Sequence, residues 1–380
     1  MLAIALKMLI GDRTKYLALV FGVAFATILI SQQGGIFIGL LSRAASVIRD
    51  AREVDLWVMD PAVETIDTTY PMRDTALARV RGVEGVAWAV PFYKANVQIR
   101  TRDGKLSSGL LLGVDDVSLV GIPDEFVLGS PVNLREPDAI AINPFGFSLL
   151  FPGQPQQLGG ELELNDRRAV IRGIIDASPV FSGNAIIYSR YDQAVGYTNT
   201  GRNQLTFVVA KAVTGQSPET VARRIEDRTG LRARSSDEFS ADSIGYIIKN
   251  TGIPISFGTV VVLGIVIGIA VVALIFNQFI LENLRQYAAL KAIGVRNFTL
   301  IRMTLLQGLF VGAIGYGIGL GLISYFFHVV PNKVPTFRGF YLPWQIAAGV
   351  AVVCAVIVTL SVLLGLRRVV FLDPAVVFRV

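Results

Sequence analysis

The chain has 380 residues, of which 52% are apolar and only 17% charged, against roughly 25% charged in an average soluble domain. The mean hydropathy of +0.55 and a single cysteine exclude a disordered chain and a disulfide scaffold and point to a membrane. A net charge of +6 and a pI of about 9.5 would suit a nucleic-acid partner, but the placement of the charge removes that reading.

The first apolar run covers 16–41 and follows Lys7, Arg13 and Lys15. It is longer than the roughly 7–15 residues of a secretion-signal core, and no small-x-small site follows it, so it is expected to be a retained anchor. Residues 42–254 then have ordinary soluble character. The run 53–60 (EVDLWVMD) predicts a strand stopped by Pro61, and 72–80 a short helix. Residues 86–100 and 106–114 predict a hairpin about Arg102-Asp103-Gly104-Lys105. The stretch 115–200, rich in glycine and proline, carries short β-type runs. Residues 204–213 form a further strand. Ser217-Pro218-Glu219 opens a helix over 218–229 that Gly230 ends, and 231–234 reads as a returning strand. The pattern predicts an α/β lobe over about 50–114 and 203–240, interrupted by an inserted β-rich lobe over about 115–202.

Three more apolar runs follow, at 255–281, about 303–330 and about 343–366, separated by 282–302 and 331–342 and followed by a tail at 367–380. All four exceed the roughly 20 helical residues that cross a bilayer. None contains Asp, Glu, Lys or Arg, each of which would cost about 2.5–3.5 kcal/mol at mid-membrane. The expected fold class is therefore a membrane α-helical protein with four transmembrane helices and a large extracytoplasmic α/β plus β-rich domain inserted between helices 1 and 2.

Residues 42–254 hold 23 Lys+Arg and 26 Asp+Glu, which leaves 12 basic and 3 acidic residues elsewhere. Ten of those 12 fall on one side of the four runs, in the N-terminal stub, the 282–302 connection and the tail. Lys333 and Arg338 alone lie in the 331–342 loop. The positive-inside rule makes the ten-residue side cytoplasmic and the large domain external. Arg43, Arg49 and Arg52 oppose this weakly, because long translocated domains largely ignore the rule. Cys354 lies in the fourth run, so the external domain has no thiol to oxidise.

The external domain offers no catalytic pattern. Asp115-Asp116 and Asp237-Glu238 are adjacent acids, which on a strand face opposite ways, and solvated loop positions are expected. The lone His328 removes most metal and triad chemistry. Ser178 and Ser182 lack a G-x-S-x-G frame. Trp57, Trp88, Phe92 and Tyr93 are expected in the core rather than on a lipid-binding surface. No G-x-x-x-x-G-K-[ST] occurs, so ATP, if used, belongs to another polypeptide. The spans carry glycines four apart that suit close helix contact: Gly35 and Gly39, Gly264 and Gly268, Gly308 and Gly312, Gly315 and Gly319, Gly317 and Gly321.

Residues 282–302 (ENLRQYAALKAIGVRNFTLIR) are too polar to span and rich in helix formers up to Ile293, with Gly294 as a stop. Leu284, Tyr287 and Leu290 recur at threes. The segment reads either as a connector lying on headgroups or as a lever docked in a partner's groove.

Ala289-Leu290-Lys291-Ala292-Ile293-Gly294 resembles the loop after the second span in the FtsX-like (MacB-type) family of ABC transporter permeases. Ala5 to Leu9 running into Arg13 is similar to that family's N-terminal amphipathic helix, here 1–15. Leu366-Arg367-Arg368 with Asp373-Pro374-Ala375 is similar to its C-terminal ending, although Val376-Val377 stand where an acid is common. The compact size and lack of a fused ATPase resemble the DevC branch. The resemblance implies a bacterial inner-membrane permease that is not itself an enzyme. It would act as a pair of copies with a separate ABC ATPase that holds ATP and Mg, no cofactor or metal belonging to this chain. A periplasmic membrane-fusion adaptor would complete a tripartite export pump driven by mechanotransmission. Some relatives instead relay ATPase motion to an exterior hydrolase or sensor. The implied ATPase-docking residues are Glu282, Asn283, Leu284, Arg285, Tyr287, Leu290, Lys291, Ile293, Gly294 and Val295.

Overall fold

A computed structural model describes residues 13–198, 204–334, 337 and 339–370. The expected N-terminal amphipathic helix, apart from its last residues, and the Asp373-Pro374-Ala375 motif lie outside these. The chain divides into two compact units. One comprises the chain up to Ile38, Gly252–Val330 and Phe340 onwards; the other comprises Gly39–Thr251 with Pro331–Gly339.

The membrane unit is built on four long helices: α1 (Arg13–Arg43), α8 (Ile253–Glu282), α10 (Asn297–Lys333) and α11 (Trp344–Val370). All four are long and apolar enough to cross a membrane. Because helices in hydrocarbon gain nothing from hiding apolar surface, close packing and buried hydrogen bonds must hold the bundle together. Glycine supplies the packing. A Cβ at Gly315 or Gly319 would stand 2.8 Å from the Val20 carbonyl oxygen or 2.7 Å from that of Ala24, so α10 lies directly on the α1 backbone. Gly268 faces Ala26 and Ile357, Gly264 faces Ile30, Gly308 and Gly312 take Val358 of α11, and Gly35 takes Phe327. Gly39 is buried, whereas Gly317 and Gly321 meet nothing within 4 Å. Side-chain hydrogen bonds add to the packing. Thr27 Oγ1 donates to the Val23 carbonyl at 2.8 Å and lies 3.2 Å from Cys354 Sγ. Ser361 Oγ reaches the Ile269 carbonyl at 3.1 Å.

The second unit begins with α2 (Ser46–Asp50) and contains a lobe of four antiparallel strands in the order β12 (Arg232–Ser235), β1 (Leu56–Met59), β11 (Phe207–Ala212) and the first half of β3 (Val86–Thr101). Both faces are covered, which is why LWVM is buried at every position. Leu56 and Val58 meet α3 (Thr75–Arg81) and α6 (Pro218–Thr229), while Trp57 and Met59 point to the face holding α2 and α7 (Ser236–Asn250). Trp57 sits edge-on to Phe92 and Phe207, with ring centroids 5.2 and 5.6 Å apart. Helix α6 has the expected bounds, and Gly230 ends it at φ 68°.

The second half of β3 leaves this sheet. From Tyr93 onward it pairs with β4 (Leu106–Val114), which runs parallel to β9 (Ala185–Arg190). β9 pairs with β6 (Ala139–Ile142), β6 with β8 (Arg167–Ile175), β8 with β7 (Glu161–Leu164), and β7 returns to β3. Six strands thus close into a small barrel filled by Ile99, Leu111, Ile140, Ile171 and Ile187 among others. Closure removes free strand edges. The border between the lobes therefore falls between Phe92 and Tyr93 rather than at about 114, a correction to the sequence-based boundary. Its cause is a single 16-residue strand shared by two sheets. The remaining strand of this region, β5 (Phe126–Gly129), adds to the far end of β8.

The adjacent acids have structural roles. Asp115 accepts from the Ser118 amide at 2.8 Å and its hydroxyl at 2.7 Å. Glu238 closes a capping box with Ser235 at the start of α7. Ser178 donates through its amide (2.6 Å) and hydroxyl (2.9 Å) to Asp50, whose carboxyl is raised above its usual range by burial. Trp57 and Phe92 are buried in one core against which Trp88 packs, and Tyr93 is buried in the core of the barrel.

Candidate functional site: the connection between α8 and α10

Two changes of direction separate α8 from α10. The first is at Asn283, whose side-chain amide donates to the Phe279 carbonyl at 2.8 Å and caps the end of α8. Its own carbonyl accepts from the amides of Gln286 and Tyr287, at 3.0 and 3.1 Å, and so starts α9 (Leu284–Ala292). The second is at Gly294, at φ 95°. Its amide donates to the Lys291 carbonyl at 2.9 Å, and that of Val295 to the Leu290 carbonyl at 3.1 Å. That pair of bonds is a Schellman motif, in which an apolar residue after the glycine contacts one at the third position from the helix end. Leu290 and Val295 are those two residues, and both pack against the bundle. The A-L-K-A-I-G-V spacing thus has a local cause. Within the 282–302 segment helix α9 ends at the expected Gly294 stop, and Asn297 to Arg302, counted with the connection from sequence, belong instead to α10.

One face of α9 is turned into the membrane unit. Tyr287 and Ala288 are fully buried. The Tyr287 hydroxyl lies 3.4 Å from Thr304 Oγ1, which in turn donates to the Leu300 carbonyl at 3.1 Å. Burial raises the Tyr287 phenol above its usual range, opposed by the Thr304 contact, so it stays neutral. Leu284 and Leu290 are half-buried on the same face. The periodic apolar stripe 284–287–290 therefore anchors α9 to its own bundle. Glu282 is joined to Lys15 at the start of α1 by an ion pair.

What remains outward is a different set. Arg285, Ile293, Gly294 and Arg296 are exposed, Ile293 at 81%, and Phe298 in the first turn of α10 is 75% exposed. Asn283 and Lys291 are intermediate. Two large apolar side chains thus flank a rigid glycine turn, with cationic residues on both sides. Phe298 and Arg296 were not singled out in the sequence. Their signal was a basic and an aromatic residue just past the Gly294 stop, obscured by the attention given to the apolar stripe before it.

A turn of this kind, tied to a bundle of four apolar helices with a large inserted domain, defines a multi-pass membrane protein with a rigid projecting loop between its second and third long helices. Residues 258–374 match the FtsX-like permease C-terminal family model, so the C-terminal part of the chain, from α8 onward, is similar to that family's permease domain. It is 24% identical over 333 residues to uncharacterized ABC transporter permeases of two Mycobacterium tuberculosis strains, CDC 1551 and H37Rv, covering 87% of this chain and 85% of theirs. Among solved structures it is similar to the periplasmic region of MacB from Actinobacillus actinomycetemcomitans, at 12% identity over 54% of this chain and 96% of that one, with a TM-score of 0.38. It is also similar to the extracellular domain of the ABC-type transporter YknZ from Gram-positive bacteria, at 17% identity over 48% and 98%, with a TM-score of 0.34.

Proposed function

We propose that the chain is the permease of an ABC exporter in which the 282–298 connection receives a separate ATPase. Two copies work together at a bacterial inner membrane, on the DevC pattern, with residues 42–254 in the periplasm serving a membrane-fusion adaptor. The observation that carries this reading is the exposure of Ile293 and Phe298 on a turn whose other face is locked by Tyr287. Apolar side chains held out on a rigid support lose little entropy when a partner covers them, which favours docking. The cationic rim of Arg285 and Arg296 suits an acidic border on the ATPase groove.

Force applied at this turn has a short route. Tyr287 joins α9 to α10, the glycine contacts join α10 to α1, and the Lys15–Glu282 pair joins α1 to α8. α1 and α8 are also the two helices whose chains continue directly into the inserted domain. Motion of the ATPase would thus reach the exterior domain through packed helices, with no polar pore required. The test is affinity purification of the full chain from its native membrane, followed by identification of P-loop proteins bound to it. A P-loop ATPase is expected with the parent protein and not with the Ile293→Asp, Phe298→Asp double variant. Equal recovery with both would contradict the docking role.

A further inference from the structure

Among the described residues, five non-glycine positions have positive φ. Three are Asp138, Asn165 and Asp166, types that adopt this conformation readily. The other two, Glu53 (φ 61°) and Leu119 (φ 55°), are of types that avoid it, and both line one cavity of about 330 Å³ in the soluble unit. Backbone strain of this kind costs about 1–3 kcal/mol per residue and gathers where a site must be shaped. The loop bearing Leu119 is held by the bonds from Ser118 to Asp115, and Gly121 (φ 95°) is pressed against Phe92, which a Cβ would approach to 3.0 Å. The cavity is thus built on a fixed frame, and its volume lies in the range of small-ligand pockets.

Its walls have two characters. Leu119, Val120, Ile122 and Val132 give an apolar floor, and Val132 is 66% exposed. The polar wall holds charges of both signs. Arg52 is paired with Asp124 at 3.3 Å, with both side chains more than 60% exposed, so the pair is weak and easily opened. Arg135 donates to the Val117 carbonyl at 3.1 Å and has no carboxylate within ion-pair distance among the described residues. Glu53 likewise has no cationic partner among them. Two guanidiniums and two carboxylates beside an apolar floor match a ligand that is itself zwitterionic and amphiphilic.

From this we infer that the cavity binds an amphiphile with a phosphate and an amine in its headgroup, of the phosphoethanolamine-lipid class. Arg135 and Arg52 hold the phosphate, since the guanidinium fork matches its oxygens. Glu53 and Asp124 hold the ammonium, and the first carbons of the chains lie along Leu119, Ile122 and Val132. This inference does not rest on the docking of an ATPase, and its test contains none.

The test is calorimetric titration of the full chain, purified in a neutral maltoside, with dihexanoyl-phosphatidylethanolamine, dihexanoylglycerol and free phosphoethanolamine. Saturable binding of the phospholipid is expected, with the headgroup-free diglyceride and the free headgroup each at least about tenfold weaker. Glu53→Gln and Arg135→Gln, both at exposed positions, are each expected to weaken phospholipid binding about tenfold, the loss of one charge-assisted contact. Arg135→Lys, which keeps the charge and loses the fork, falls between. The inference is overturned if the diglyceride binds as tightly as the phospholipid or if both Gln variants bind normally. Free phosphoethanolamine binding as tightly as the lipid would also overturn it, in favour of a site for a soluble phospho-amine.

Discussion

Ile293 separates the docking role from a structural one, because it is 81% exposed on the turn after α9. Ile293→Ala removes apolar carbon worth roughly 2.4 kcal/mol on full burial, at about 0.8 kcal/mol per CH₂. The exposed share is what a partner can still cover, so about 2 kcal/mol of docking free energy is at stake. That corresponds to about 30-fold in affinity, at about 1.4 kcal/mol per tenfold. The same substitution removes almost nothing from the folded chain. Tyr287→Ala is the opposite case: its ring is fully buried, and its loss costs about 3–5 kcal/mol of bundle stability. The assay is titration of the purified ATPase against each permease variant in detergent, alongside thermal unfolding. Ile293→Ala is expected to weaken ATPase binding about 30-fold at an unchanged melting temperature, and Tyr287→Ala to lower the melting temperature. Wild-type affinity for Ile293→Ala, or a melting loss as large as that of Tyr287→Ala, would refute the assignment of the two faces.

Three further outcomes follow from packing and burial. Gly319→Ala places a methyl 2.7 Å from the Ala24 carbonyl oxygen and is expected to destabilise the bundle by about 1–3 kcal/mol. Gly317→Ala, with nothing within 4 Å, should instead gain about 0.5–1 kcal/mol; thermal unfolding in detergent distinguishes them. Trp57→Ala empties the centre of the α/β lobe and is expected to cost about 3–5 kcal/mol, read as lost protease resistance of the exterior domain in the full chain. Lys94 is buried beside Asp67 at 3.4 Å, and burial lowers its ammonium below the usual 10.5. The unfolded chain therefore binds more protons in the window between that lowered value and 10.5, so this residue's contribution to stability rises with pH there. Relative to Lys94→Met, the parent chain should gain melting temperature as pH is raised from 7 to about 10; a constant difference would contradict it.

The parts of the fold legible in the sequence are those fixed by local chemistry. Apolar run length gave the four long helices, and Pro218 and Gly230 bounded α6. Gly294 marked a turn because no other residue takes φ 95° without strain. What stayed hidden depends on partners distant in sequence. β3 reads as one strand, and nothing in VAWAVPFYKANVQIRT says that its two halves pair with different sheets. The stripe Leu284, Tyr287, Leu290 has the same period whether it faces lipid, a partner or its own bundle. Packing against distant parts of the bundle, among them Thr304, 17 residues further on, turns it inward. Glu282 likewise read as a contact for another protein, because Lys15 lies 267 residues away.

Photo-crosslinking from position 293 tests the central claim most directly. A photoreactive amino acid in place of Ile293 in the full chain, activated in native membranes during ATP turnover, is expected to capture a P-loop ATPase subunit, whereas the same group in place of the exposed Leu106 of the barrel lobe should not. Capture of lipid alone from position 293, with no protein adduct at any stage of turnover, would contradict the account.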